Sequence, residues 1–138
     1  MTSIKEKEQA VVEEFELFDD WMDKYNHIIE MGKALPVIDD QYKQEKYLIK
    51  GCQAQVWLHA EQKDGRVHFT ADSDALITKG IVALLIRVLS DQKPDDIIDA
   101  DMSFIDEIGL KEHLSQTRSN GLVNMIKQMK LYALAIKG

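Results

Sequence analysis

The chain has one cysteine among its 138 residues, so no disulfide can close within it, and the lack of a disulfide framework points to a reducing compartment, the cytoplasm. With two prolines, seven glycines and no stretch rich in Pro, Gly or Ser, no segment has the composition of a linker. Apolar residues make up 45% of the chain, which argues against intrinsic disorder. Long apolar runs are missing too. The longest, Ile81 to Ile86, stops at Arg87, far short of the roughly 20 residues that cross a bilayer, so no membrane association is expected. The stretch Met1 to Gln9 spaces Lys and Glu as a helix does and lacks the uninterrupted apolar segment of a secretory signal. Cations are outnumbered, 17 Lys and Arg against 24 Asp and Glu, and they are scattered along the chain. The net charge of -7 repels phosphate backbones, so nucleic acid is not an expected partner.

What is present suits one domain, spanning 1–138, built around a single apolar core. From Ile4, apolar residues recur at Val11, Phe15, Phe18, Met22, Tyr25 and Ile29, the alternation of three and four that lays a stripe along a helix. Asp19 or Asp20 can cap a break near Trp21, giving two helices or a kinked one. Gly32 followed by Pro36 reads as a stop, and Leu35 to Tyr42 as a loop. Tyr47 to Ile49 is a short apolar strand candidate. Beyond Cys52, Ala54, Val56, Leu58 and Ala60 alternate with polar or aromatic neighbours at the period of a half-buried strand. Asp64-Gly65 accepts the positive dihedrals of a tight hairpin, after which Val67, Phe69 and Ala71 alternate again.

Ser73 or Asp72 can cap a helix from about Asp74 to Leu89, apolar nearly all round and therefore buried. Pro94 suits the first turn of a short helix, Gly109 the end of another, and Ser119 the cap of a last one bearing Leu122, Met125, Ile126, Met129 and Ala133 on one side. Helices, then strands, then helices, with no internal repeat, predict an α+β fold: a small antiparallel three-stranded sheet with helices packed before and after it in sequence.

A lone cysteine is commonly a small buried hydrophobe, but Gly51 before Cys52 and Gln53 after it suggest a turn tip that presents the thiol. Lys50, two residues away, is a candidate to favour the thiolate by its charge, although strand alternation can equally aim its ammonium elsewhere. A structural metal is not expected, because one Cys with His27, His59, His68 and His113 shows no ligand-pair spacing. A cluster held by this chain alone is disfavoured for the same reason. A cysteine hydrolase would need His59 or His113 as base, without any motif around the Cys to support it.

The segment Leu48-Ile49-Lys50-Gly51-Cys52-Gln53-Ala54-Gln55-Val56-Trp57 resembles the signature of the SufE family, which includes CsdE. Asp72-Ser73-Asp74-Ala75 leading to Lys79-Gly80, and Arg118-Ser119-Asn120-Gly121-Leu122, match the family in the same order, and the resemblance spans about residues 8–135. It implies a sulfur-acceptor accessory protein that is not itself an enzyme and holds no cofactor. Such a protein takes persulfide sulfur on Cys52 from a SufS-like or CsdA-like cysteine desulfurase, which carries the pyridoxal phosphate. It stimulates that enzyme and passes the sulfur to a SufB-type scaffold or another acceptor for iron-sulfur cluster assembly. On the resemblance, Gly51 is a hinge and Asp74 and Arg118 support transfer, while Lys50, Gln53 and Gln55 are candidate partner-binding groups. The residues alone also allow two plainer readings: Asp74 as a first-turn carboxylate and Arg118 as a loop cation before a helix cap. The contrasting functional reading is a regulatory or interaction module of a desulfurase in which the thiol plays no part. Captured sulfane sulfur needs shelter from reductant and oxidant, so an apolar recess is expected beneath Cys52.

Overall fold

The computed structural model describes residues 2–138; Met1, the first residue of the amino-terminal stretch, lies outside them. The architecture is α+β, with helices flanking one antiparallel hairpin. Helix α1 (Ile4–Phe15) starts at Ser3, whose hydroxyl accepts from the Glu6 amide while the Glu6 carboxylate turns back to the Ser3 amide, a reciprocal cap. Helix α2 (Trp21–Lys33) is capped by Asp20, which accepts from the Asp23 amide at 2.9 Å, so the break near Trp21 is real. Gly32 does not end this helix. It lies within α2, buried against α3 (Leu76–Leu89), and a Cβ on Gly80 of α3 would sit 2.2 Å from the Ile28 carbonyl oxygen. The two helices cross so closely that only hydrogen fits at the contact.

Strands β1 (Val56–Lys63) and β2 (Arg66–Ser73) pair from Val56↔Ser73 to Lys63↔Arg66, joined by Asp64 and Gly65 at φ 53° and 77°. Both turn residues take the positive φ that a two-residue hairpin of right-handed twist demands. The sheet has two strands, not three. Tyr47 closes a 3-10 turn, Glu45–Tyr47, and Gly51 turns the chain away soon after. The segment between them makes only an isolated bridge, Leu48↔Trp57, with the Ile49 amide donating to the Val56 carbonyl at 2.8 Å. On the other side of the hairpin, the Val67 amide donates to the Gln92 carbonyl, the Asp91 amide to the Val67 carbonyl, and the Phe69 amide to the Ser90 hydroxyl.

The core lies between the inward face of the hairpin, with Val56, Leu58, Val67, Phe69 and Ala71 buried, and α3, where Ile81, Leu84, Leu85 and Leu89 are at most 1% exposed. Short helices α4 (Pro94–Asp99), α5 (Phe104–Glu107) and α6 (Leu110–His113) lead to the long α7 (Gln116–Lys137), which packs Leu122, Met125, Met129 and Ala133 inward. Its cap is Ser115, whose hydroxyl accepts from the Arg118 amide at 3.3 Å. Ser119, the expected cap, lies inside the helix and donates to the Lys111 carbonyl. Across the molecule the Tyr132 hydroxyl donates to the Leu58 carbonyl at 3.0 Å, tying α7 to β1. No helix among the described residues is long and apolar enough to cross a membrane.

Candidate functional site

Cys52 sits on the bend between the Leu48 bridge and β1, against the first turns of α7. The bend depends on Gly51, whose φ of +84° lies in the left-handed region that side chains disfavour. A Cβ there would also stand 2.2 Å from Asn124 Nδ2. Asn124, on α7, donates from that nitrogen to the Gly51 carbonyl at 3.1 Å, pinning the bend from 73 residues away in sequence. On the other flank the Gln55 amide donates to Asp74 Oδ1 at 3.0 Å and the Asp74 amide donates back to the Gln55 carbonyl at 3.2 Å. Asp74 therefore does not open α3, as its place in the sequence suggests. Its carboxylate is drawn to Gln55, and α3 begins at Leu76 after Ala75, which supplies no side-chain cap. Ser73 and Asp72 bond locally, Ser73 Oγ accepting from the Ala75 amide and Asp72 Oδ1 from the Ser73 amide.

Held on both flanks, Cys52 turns inward and is half-buried. Its thiol donates to the Gly121 carbonyl at 3.6 Å and rests against α7 at that glycine, where a Cβ would make an ordinary contact with the sulfur at 3.5 Å. Burial alone pushes the thiol pKa up, favouring the protonated form in this conformation. A cavity of about 350 Å3 opens beside the sulfur, its lining apolar at Ala75, Ile81 and Met125 and polar at Gln53, Asp74 and Arg118. The recess expected beneath Cys52 is thus present, with a mixed lining.

The cavity gathers Cys52, Gln53, Asp74 and Arg118, which lie 66 positions apart at the extremes. Arg118 occupies the first turn of α7 with its side chain at this cavity, not a loop preceding the helix. Lys50 and Gln55 are not brought into it. Lys50 is exposed on a separate cleft with Lys46 and Lys127, and Gln55 takes part through its backbone. Asn124 and the supporting role of Gly121 escape a reading of the sequence. Gly121 at least belongs to a matched motif, whereas nothing near Asn124 signals that it reaches Gly51.

Among the described residues no imidazole lines the cavity. His59 stacks on Tyr42 with ring centroids 3.7 Å apart, and burial lowers its pKa. His113 stacks on Trp21 at 4.2 Å and bonds the Gly109 carbonyl. No group of three or more His, Cys, Asp or Glu among the described residues is arranged to hold a metal ion. The arrangement offers a sheltered sulfur on a short bend, with space beside it for more than one further atom.

The family model described as an Fe-S metabolism associated domain, SufE, matches residues 9–133. An uncharacterized SufE-like protein of Rhizobium meliloti strain 1021 is 37% identical over 136 residues, covering 94% of each chain. One from Rhizobium etli is 35% identical over 125 residues, covering 87% of this chain and 84% of its own. In fold, the solution structure of a hypothetical protein from Thermus thermophilus superimposes with a TM-score of 0.78 over 94% of both chains at 19% identity. With its model matching most of the chain and its relatives aligning nearly end to end, the protein belongs to the SufE family, whose domain is associated with iron-sulfur metabolism.

Proposed function

We propose that the protein is a sulfur carrier, not an enzyme in its own right, that accepts sulfane sulfur on Cys52 from a cysteine desulfurase and delivers it toward iron-sulfur cluster assembly in the cytoplasm. The observation that supports this most is the placement of the chain's single thiol. It lies on a bend fastened by a few replaceable hydrogen bonds, beside a cavity with room for an added sulfur. No cofactor of its own is required; the pyridoxal phosphate belongs to the donor.

In transfer, the Cys52 thiolate attacks the terminal sulfur of the donor's cysteine persulfide. A bond forms between Cys52 Sγ and that sulfur, the donor's sulfur-sulfur bond breaks, and the donor cysteine leaves as a thiolate carrying the electron pair. The charge is conserved, and no oxidant or metal is needed. The inward conformation is poorly suited to attack, because burial disfavours the thiolate. Release of the Cys52 contact with Gly121 and of the Asn124 bond to Gly51 would swing the sulfur out to water and the donor, and folding back would shelter the persulfide. Gly51 supplies the backbone freedom for that swing. Asp74 holds the base of the bend through Gln55, and Arg118, which lines the cavity, is proposed to meet a thiolate or a partner carboxylate once the bend opens. Gln53, exposed at the tip, is placed to meet the partner. A SufB-type scaffold is the proposed acceptor.

The test is mass spectrometry after incubation with an active cysteine desulfurase and cysteine. The expected result is a gain of one sulfur atom on Cys52, lost on reduction and absent from Cys52→Ser. An unmodified chain would end the carrier reading, and full stimulation of the desulfurase by Cys52→Ser would favour a thiol-independent module.

A further inference from the structure

A second cleft, of about 410 Å3, runs along α7 next to the Cys52 bend. Its lining includes Lys46, Lys50 and Lys127 together with Asn124, Leu131 and Tyr132, and it contains no carboxylate. In a chain of net charge -7 this is a local reversal of sign. None of the three lysines enters an ion pair among the described residues; Lys46 lies over the Tyr47 ring at 5.2 Å, but no acidic group there answers their charges.

An apolar rim adjoins the lysines. Val123, Leu131 and Leu134 are 49%, 46% and 55% exposed. With Lys127 they fall at intervals of four, four and three residues, a single stripe on the side of α7 away from buried Leu122, Met125, Met129 and Ala133. The cleft is also continuous with the site, since Lys50 immediately precedes Gly51 and Asn124 both lines the cleft and holds the Gly51 carbonyl.

We propose that this cleft and its rim are the docking surface for an acidic, partly apolar segment of the protein that donates sulfur to Cys52. The inference rests on the sulfur-carrier reading and names where the donor is held. Carboxylates of the donor meet Lys46, Lys50 and Lys127, and its apolar side chains cover Leu131 and Leu134. Occupancy then places the donor against Asn124, the residue that fastens the bend, so docking and release of Cys52 share one contact.

The experiment compares the wild type with K46E/K127E and with K5E/K24E, a control of the same net charge whose changes lie on α1 and α2. Association with a cysteine desulfurase is followed by surface plasmon resonance over a range of ionic strength, and Cys52 persulfidation by inorganic polysulfide is read by mass. The proposal expects K46E/K127E to associate about tenfold or more slowly at low salt, with its salt dependence flattened, while the control behaves as wild type and all three accept sulfur from polysulfide equally. Equal association of all three with the desulfurase overturns the docking site and leaves the carrier reading intact. Equal slowing in both variants also overturns it, reducing the effect to overall charge. Wild-type self-association abolished by K46E/K127E would assign the surface to a second copy instead. A wild-type chain that neither binds the desulfurase nor takes sulfur from it overturns the carrier reading and this surface together.

Discussion

Asp74 and Gln55 exchange two hydrogen bonds, carboxylate to amide at 3.0 Å and amide to carbonyl at 3.2 Å, and this pair closes the base of the Cys52 bend. Only the first uses a side chain, and it asks for an oxygen acceptor, not for a negative charge. Asp74→Asn should therefore keep the loop closed, while Asp74→Ala should free the Gln55 amide, raising hydrogen exchange across residues 51–55 and lowering stability by about 0.5–1.5 kcal/mol. Sulfur transfer lost in both variants would show that the charge acts on the partner; loss in Asp74→Ala alone would show that the tether is what counts.

Asn124→Ala removes the clamp on Gly51 at similarly small stability cost. Cys52 should then spend more time outward, and its alkylation by iodoacetamide should accelerate about fivefold for each kcal/mol by which opening becomes easier. An unchanged alkylation rate would show that the bend is held by other contacts.

Gly51→Ala combines a left-handed backbone with a Cβ 2.2 Å from the Asn124 amide nitrogen. The expected backbone cost is about 1–2 kcal/mol, localised to the bend, with the rest of the fold intact by circular dichroism. Desulfurase stimulation should fall by more than stability does; a loss confined to stability would dismiss the hinge.

Alkylation of Cys52 should also reveal its protonation. Because burial raises the folded thiol's pKa, the midpoint of the rate's rise with pH should lie above the ordinary cysteine pKa of about 8.5. A midpoint at or below that value would mean that the outward, exposed thiol dominates.

Acid should loosen the contact between α1, α2 and α3. Arg87 donates to Glu14 at 2.6 Å, and His27 bonds the same carboxyl. The Arg87 bond, opposed by burial, holds the Glu14 pKa below its ordinary 4.5. The folded value is the lower one, so the stabilisation is complete above the unfolded value and is lost as pH falls through the folded value. The urea midpoint should decline more steeply for wild type than for Glu14→Gln between about pH 5 and about pH 3.

The parts of this structure legible in the sequence are those set by neighbours along the chain. Asp64-Gly65 names its own turn, Asp20 its own helix start, and the apolar run of α3 its own burial. Features set across the chain are hidden. Gly32 looks like a stop until Gly80 is seen against it, and Asp74 looks like a helix-opening carboxylate until Gln55, 19 residues earlier, claims it. Tyr47 to Ile49 has a strand's composition, yet the turns on either side leave it one bridge. At the site, Cys52 stands out because it is alone and follows a glycine, whereas Asn124 is one polar residue on a long helix with no local mark of its function.

The two outer margins of the hairpin are partly occupied from within. Val56 and Leu58 carbonyls are taken by Ile49 and Tyr132, and Val67 and Phe69 by Gln92, Asp91 and Ser90. A visiting chain finds those backbone groups taken, which disfavours strand addition along these stretches. Discrimination among visitors then leans on side chains, where a few substitutions can redirect it without disturbing the sheet.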